Sequence, residues 1–263
     1  MEDVAPLELV TIPISHYCEK ARWALERADI PYRERRHVQG IHRIAARRAG
    51  GGSTLPVLVT PEGSIGESRE ILEWVDERAP EELRLFPLEA GERAQVEALS
   101  DRFDEVLGPR ARRLIYVHVL GDPKTAMPFN NAGVPAWEDR FMRVTFPLAK
   151  RWIENALGVR PGVEVGDEAA VFAEFDHVAE LLADGRPYLC GERFTAADLT
   201  FAALSSAVTA PPQYGTRLPQ PEELKPATAE LIERAREHPA GRFALRMFAT
   251  ERVSGTGPDG RPG

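Results

Sequence analysis

The chain has 263 residues, of which 43% are hydrophobic and 28% are charged, and its formal net charge is −8 at pH 7. This length and composition are typical of a globular protein with room for two domains of ordinary size. The acidic balance argues against a nucleic-acid-binding protein, and the longest apolar runs are too short to span a bilayer.

The first predicted elements are a strand over residues 7–12 and a helix that begins near residue 16. Pro13 separates the two, and Ser15-His16-Tyr17-Cys18 lies at the helix start. A serine at this position caps the helix by accepting a backbone N–H. The same place has free N–H groups and the positive end of the helix dipole, so it also stabilises an anion such as a thiolate. Both interpretations of Ser15 remain open at this point.

The three residues after Ser15 have a chemical and a structural interpretation each. Cys18 lies where a helix N-terminus lowers the pKa of a thiol, but we expect a supporting or core residue, because Ser15 holds the preceding key position. His16 is a candidate general base, but we expect a solvated loop residue. Tyr17 is a candidate hydroxyl donor, but we expect a packing or surface role.

The next signals come about forty residues further on. Pro56 enters the apolar run over residues 57–59, as proline does at the first position of a strand, and its peptide bond with Leu55 is of the kind that can be cis. Residues 63–66 predict another short strand. Glu67 and Ser68 then open an amphipathic helix, where Ser68 offers a hydroxyl and free N–H groups to an anion.

The second half of the sequence is helical. We predict domains over residues 1–79 and 91–250, a linker at 80–90 that contains two prolines, and a disordered tail at 251–263. Predicted helices cover about residues 89–120, 136–157, 166–185, 195–209 and 222–249. Thr195 and Asp198 have capping-box spacing at the start of the fourth of these, with Phe194 as a staple. Residues 121–135 predict a long irregular loop, either a lid over a binding site or a surface insertion.

In four segments, taken in order, the chain resembles the cytosolic glutathione S-transferases. The segments are residues 15–25, residues 55–58, Glu67-Ser68 at a helix start, and residues 188–199. The resemblance implies an α/β thioredoxin-like N-terminal domain followed by an all-α helical-bundle domain. It also implies glutathione as co-substrate, a role in detoxification and a homodimer. No His, Cys and Asp cluster has metal-ligand spacing, so we predict no metal. The absence of a secretory signal and the presence of only two cysteines, Cys18 and Cys190, predict a cytoplasmic location.

The resemblance also assigns roles to residues. Leu55, before Pro56, would pair its backbone with the cysteinyl backbone of glutathione, while Glu67 and Ser68 would hold the γ-glutamyl end. Ser15 would donate its hydroxyl to the glutathione sulfur, as in the serine-type members. Cys18 falls where dithiol relatives keep their second cysteine. Because serine replaces the first cysteine, disulfide exchange is disfavoured.

The predicted function is therefore a glutathione-dependent transferase that activates the glutathione thiolate for attack on a small apolar electrophile. Tyr116, His118 and Trp137, which flank the loop at 121–135, are candidates for the electrophile site. The alternatives are a glutathione-dependent isomerase or dehalogenase, a thiol reductase based on Cys18, and a non-catalytic glutathione-binding or protein-interaction module. Residues 33–48 contain six arginines and one glutamate. This segment predicts a solvated basic face, and in the family it lies near the glycine carboxylate of glutathione, which one of these arginines or His42 would meet.

Overall fold

The computed structural model describes residues 7–160 and 162–252. Residues 1–6 of the first predicted domain and residues 253–263 of the predicted tail lie outside the described residues. No helix within the described ranges is long and apolar enough to cross a membrane.

The N-terminal part is a four-stranded mixed sheet with three helices, which is the thioredoxin-like arrangement. Its elements in chain order are β1 (Leu7–Thr11), α1 (His16–Arg27), β2 (Tyr32–Arg36), α2 (Ile41–Arg48), β3 (Val57–Thr60), β4 (Gly63–Ile65) and α3 (Ser68–Asp76). The strands lie in the order β2-β1-β3-β4. β1 is parallel to β2 and antiparallel to β3, while β3 and β4 are antiparallel. The structure contains the strands predicted at residues 7–12, 57–59 and 63–66 and the helices predicted to begin near residue 16 and at Glu67-Ser68.

The C-terminal part is helical. Its elements are α4 (Ala90–Arg102), a π-helical segment at Phe103–Leu107, α5 (Gly108–Val119), α6 (Pro123–Asn130), α7 (Ala136–Leu157), α8 (Val163–Leu181), α9 (Ala196–Thr209), α10 (Pro226–Glu237) and α11 (Pro239–Thr250). At the start of α9, Thr195 and Asp198 form the predicted capping box, and Asp198 also accepts a hydrogen bond from the Leu189 N–H at 2.7 Å. The sequence was sufficient to predict this capping box because Thr195 and Asp198 lie within one helical turn of each other.

Three predictions about the helical part are wrong in detail. The loop over residues 121–135 contains α6, which begins at Pro123 after the N-cap Asp122. The helix over residues 222–249 is two helices, because Pro239 starts a new helix after His238. The first two residues of the predicted disordered tail are ordered: Glu251 ion-pairs with Arg27, and Arg252 is buried against α1.

The two parts share one hydrophobic core. Trp23 of α1 is fully buried and stacks on Phe194 and against Phe248, with ring centroids at 5.8 and 4.6 Å. About one turn earlier in α1, the buried Lys20 ammonium binds the Asp104 carboxylate at 2.7 Å. This ion pair joins α1 to the π-helical segment. Helix α1 is therefore anchored to the helical part of the chain at both Lys20 and Trp23.

Candidate functional site

Ser15 lies at the point where β1 has ended and α1 begins. It is the N-cap of α1, has extended backbone geometry and accepts a hydrogen bond from the Cys18 N–H at 3.4 Å. The side chain is half-buried and lines a cavity of about 690 Å³. The free N–H groups of the first turn of α1 are therefore available to an anion in the cavity, and the Ser15 hydroxyl, which can also donate to the Cys18 thiol, lies beside them.

Leu55 and Pro56 form the second wall of this cavity. The peptide bond between them is cis, as the sequence suggested, and both residues line the cavity. The strand β3 begins only at Val57, and the Leu55 N–H and C=O make no hydrogen bond to any described residue. A donor and an acceptor on one residue, both unpaired beside a cavity, suit the backbone of an extended peptide ligand.

Glu67 and Ser68 form the third wall at the N-terminus of α3. Glu67 is the N-cap, but its side chain makes no capping hydrogen bond, and Ser68 is buried at the first helical position. Both line the cavity together with Arg69, whose guanidinium pairs with Glu73 and Asp101. The helix N–H groups and the Ser68 hydroxyl provide donors for a carboxylate, and the Glu67 carboxylate suits an ammonium group.

Helices of the second part close the cavity opposite these three walls. Tyr116 and His118 on α5, two of the candidates for the electrophile site, line it. The Tyr116 hydroxyl accepts a hydrogen bond from Gln39 Nε2 at 3.1 Å, and burial raises its pKa. His118 lies near Thr228, with 3.5 Å between Nδ1 and Oγ1, and burial lowers its pKa.

Trp137 does not line the cavity, so this candidate is wrong. It lies in the first turn of α7, and its side chain is 62% exposed. Trp137 was a candidate because it closely follows the predicted loop at residues 121–135. In the structure, its position on α7 directs the side chain to solvent. The aromatic residues that do line the cavity from this region are Phe129 on α6 and Trp152 on α7.

Cys18 is fully buried and is not among the residues that line the cavity. It packs with Val10, Ala45 and Val57 between the sheet and α2. Burial raises the pKa of its thiol more than Arg22 and a hydrogen bond from Ser15 lower it. A neutral, enclosed thiol is a poor nucleophile.

His16 and Tyr17 are not loop residues but form the first turn of α1. The expectation of a solvated His16 is wrong: its side chain is 4% exposed, and burial, together with Arg112 and Lys20, lowers its pKa well below the usual value. Tyr17 packs as expected, and its hydroxyl donates to the Asp104 carbonyl at 2.9 Å. Burial raises the pKa of Tyr17 to about 12.

The close approach of Tyr17 depends on Gly108, which sequence reasoning missed. A Cβ at Gly108 would lie 2.3 Å from the Tyr17 hydroxyl oxygen, so no other residue fits there without displacing the phenol. The sequence signal for this close contact was a glycine at the first position of α5, where a residue with a higher helix propensity is expected.

The side chains of the basic segment at residues 33–48 have three kinds of environment. Some form ion pairs, some are exposed and some line the cavity. Arg35 pairs with Glu8 and Arg36 with Glu34, while Arg47 and Arg48 are exposed. His42 and Arg43 line the cavity. Burial lowers the pKa of His42 to about 4, and the Arg43 guanidinium lies 5.8 Å from the ring centroid of Trp152.

Residues 9–83 match the family model described as glutathione S-transferase, N-terminal domain. No curated protein matches the chain.

Solved structures with this fold cover nearly the whole chain. The glutathione S-transferase CsGST63524 of Ceriporiopsis subvermispora, in complex with glutathione, is 20% identical, with 95% of this chain and 98% of that chain covered and a TM-score of 0.61. A glutathione S-transferase from Xanthobacter autotrophicus Py2 is 18% identical, with 95% and 94% covered and a TM-score of 0.59. The beta-etherase LigF from Sphingobium sp. strain SYK-6 is 14% identical, with 92% and 99% covered and a TM-score of 0.58. The chain thus carries a glutathione S-transferase N-terminal domain at residues 9–83 and has the overall fold of solved glutathione S-transferases.

Proposed function

We propose that this protein is a glutathione-dependent transferase of the serine type, which activates the glutathione thiolate for attack on a small apolar electrophile. One observation carries the proposal: the Ser15 hydroxyl, the unpaired Leu55 backbone and the N-terminus of α3 line a single cavity. Glutathione presents a thiol, a peptide backbone and a γ-glutamyl group, and these three features of the cavity match them in chemistry.

In the proposed binding mode, Leu55 pairs with the cysteinyl backbone of glutathione. The γ-glutamyl carboxylate accepts hydrogen bonds from Ser68 and the N–H groups of α3, while Glu67 binds the ammonium group. The glycine carboxylate extends toward His42 and Arg43, which line the same cavity. The structure of CsGST63524 with glutathione supports binding of this ligand by the same fold.

The chemistry follows from the acidity of the thiol. A thiol with a pKa near 8.5 is only about 3% thiolate at pH 7. A hydrogen bond from Ser15 and the dipole of α1 stabilise the charged form, and each unit of pKa lowering corresponds to about 1.4 kcal/mol. A shift of two units would make roughly three quarters of the bound thiol ionised at pH 7. The thiolate then attacks the electrophile, a C–S bond forms, the leaving group departs with its electron pair and the thiol proton goes to solvent.

The proposed mechanism is tested by the ultraviolet absorbance of the thiolate of bound glutathione across pH. We expect the bound thiol in the wild type to titrate well below free glutathione, and Ser15→Ala to lose most of that shift. Cys18→Ala is the matched control: it lies one turn away in the same helix and should keep the shift, whereas a reductase based on Cys18 would lose its activity. Saturable glutathione binding without any shift in the wild type would instead favour a binding module.

The proposal extends to a homodimer in the cytoplasm with a role in detoxification. Cys18 and Cys190 are both unpaired, which suits a reducing compartment. Light scattering coupled to size exclusion measures the oligomeric state directly, and a monomeric mass would contradict the dimer without affecting the proposed chemistry.

A further inference from the structure

Three arginines occur within four residues near the start of α5, and they face in two directions. Arg110 and Arg113 are three residues apart on one side of the helix, and both bind the buried Asp167 of α8, at 3.0 Å for Arg110 Nη1 and 2.6 Å for Arg113 Nη2. Arg112 lies on the other side and lines the cavity. Ile115, Tyr116 and Val119 continue the same face of α5 along the cavity wall, at positions i+3, i+4 and i+7.

The Arg112 guanidinium has no partner of opposite charge. Among residues 7–160 and 162–252, no carboxylate lies within 4.0 Å of its nitrogens and no oxygen accepts a hydrogen bond from it. Its Nε is buried and also lacks an acceptor. The contact that the guanidinium does make is with the ring of Tyr17, whose centroid lies 5.8 Å from Cζ. A buried donor on a group that keeps its charge at every physiological pH is costly to leave unpaired.

Acidic side chains on the cavity wall do not supply that partner. The Asp104 carboxylate is held by Lys20, and Asp122 caps α6. Glu105, which also lines the cavity, is exposed and forms no ion pair with Arg112. Glu67 lies at the N-terminus of α3, where the proposed function assigns it to the ammonium group of glutathione. The charge of Arg112 is felt nearby, because it contributes to the low pKa of the buried His16 after the larger effect of burial. None of the carboxylates that line the cavity therefore pairs with Arg112.

The cavity that Arg112 lines also has many apolar side chains. Ile115 and Val119 from α5, Ile153 and Leu157 from α7 and Ile232 from α10 all line the same cavity. An arginine in such surroundings binds a carboxylate or a similar planar anion in a forked geometry. We propose that the acceptor substrate of this site is an apolar molecule that carries one anionic group, and that Arg112 binds this group. The proposal rests on the proposed transferase function and names its substrate class.

The test compares two acceptors that differ in charge but hardly in shape, 4-chloro-3-nitrobenzoate and 4-chloro-3-nitrobenzamide, at saturating glutathione. With either one, the sulfur attacks the ring carbon that carries chlorine, the C–S bond forms, and chloride leaves with the electron pair of the broken C–Cl bond. We expect the ratio of kcat/KM for the benzoate over the benzamide to fall at least about tenfold in Arg112→Gln, as the loss of a charge-assisted hydrogen bond requires. Arg140→Gln, which removes an exposed arginine on α7, is the control and should leave the ratio unchanged.

A second measurement keeps the inference separate from the proposed function. Calorimetric titration of 4-nitrobenzoate and 4-nitrobenzamide into the wild type and Arg112→Gln needs no turnover. Selective loss of benzoate binding in the variant would support the inference even if no conjugation were found. The inference would be overturned if Arg112→Gln left the ratio of kcat/KM for the benzoate over the benzamide unchanged and bound glutathione more weakly. Arg112 would then bind glutathione and not the acceptor. If Arg112→Gln does not fold, Arg112→Lys gives the same comparison, since it keeps the charge but loses the fork and should retain part of the preference for benzoate.

Discussion

The carboxylate of Glu34 on β2 is bound by one arginine from α1 and one from β2. Its Oε1 accepts hydrogen bonds from Thr11 Oγ1 at 2.6 Å and from Arg22 Nε at 2.8 Å, and its Oε2 accepts from Arg36 Nη2 at 2.7 Å. Burial alone would raise the pKa of Glu34, but Arg22 and Arg36 outweigh it and hold the pKa at about 2. Because the pKa is lower in the folded than in the unfolded protein, the resulting stabilisation is complete above about pH 4.5 and is lost as the pH falls toward about 2.

Glu34→Gln should therefore lower the free energy of unfolding at pH 7, by about 3 kcal/mol if the pKa shift is fully lost. The difference from the wild type should shrink as the pH falls from 5 to 3, and urea denaturation at several pH values measures it. Glu8→Gln is the matched control, because Glu8 pairs with Arg35 on the surface, where such pairs contribute about 0–1 kcal/mol. If the difference in the free energy of unfolding between Glu34→Gln and the wild type stays constant with pH, the low pKa of Glu34 is contradicted.

At the residue scale, the sequence located groups whose signal is local. Ser15 at a helix start, Pro56 before an apolar run and Ser68 at another helix start are each recognised from their immediate neighbours. Arg112 was missed, although it lies one helical turn before Tyr116, which was a candidate for the electrophile site. Which face of α5 meets a cavity depends on α8, and Asp167 is more than fifty residues away along the chain.

At the scale of elements, α6 and α7 are fastened to the N-terminal part through the segment between β2 and α2. The fully buried Glu138 of α7 accepts a hydrogen bond from the Val38 N–H at 3.0 Å and lies 2.7 Å from His37 Nδ1. Gln39 adds a second link, donating to Asn130 of α6 at 2.6 Å. A small apolar cluster of Val38, Met127 and Met142 fills the space between them. These two helices therefore form a fixed wall of the cavity.

Glu138→Ala should loosen that wall without unfolding the rest of the chain. It leaves the buried Val38 N–H without an acceptor, which costs about 1–3 kcal/mol. We expect faster amide hydrogen exchange over residues 123–130 and 136–157, with α9 unaffected. Glu154→Ala, on the same helix but in a partly exposed pair with Lys150, is the control and should change little. Equal exchange in both variants would show that Glu138 does not hold α7 in place.

The helical elements were predicted better than the connections between them. Helix α7 matches its predicted bounds because its apolar periodicity is long and continues past Pro147. Helix α6 was missed because Pro123 and Pro128 resemble a loop, although a proline at the first helical position is well tolerated and Asp122 caps it. The break between α10 and α11 was missed because a single proline, Pro239, separates two helices with compatible periodicity.

At the scale of the whole molecule, the two parts form one cooperative unit. Leu9 and Ile71 of the N-terminal part belong to the same buried cluster as Phe103, Phe201 and Phe248 of the helical part. We expect a single unfolding transition, in which near- and far-ultraviolet circular dichroism coincide and the calorimetric and van't Hoff enthalpies agree. Two separate transitions would contradict a shared core.

The order of the two parts followed from the sequence, but the contacts between them did not. The pairing of Lys20 with Asp104 and of Glu19 with Arg252 joins residues far apart in sequence. Periodicity identifies which face of an element is buried, but it carries no information about which element covers that face. The extent of the shared core was therefore not predictable from local patterns.

Trp152, which forms part of the cavity wall, gives the molecule an optical property of its own. Of the four tryptophans, all of them in the described ranges, Trp23 is enclosed in the core, Trp74 lies under Arg78, and Trp137 faces solvent. Trp152 alone borders the cavity, with the His42 ring 6.5 Å away. Ligand entry changes the polarity and the quenching groups around this one indole. The intrinsic fluorescence of Trp152 is thus a built-in reporter of cavity occupancy, which a single tryptophan-to-phenylalanine replacement would silence.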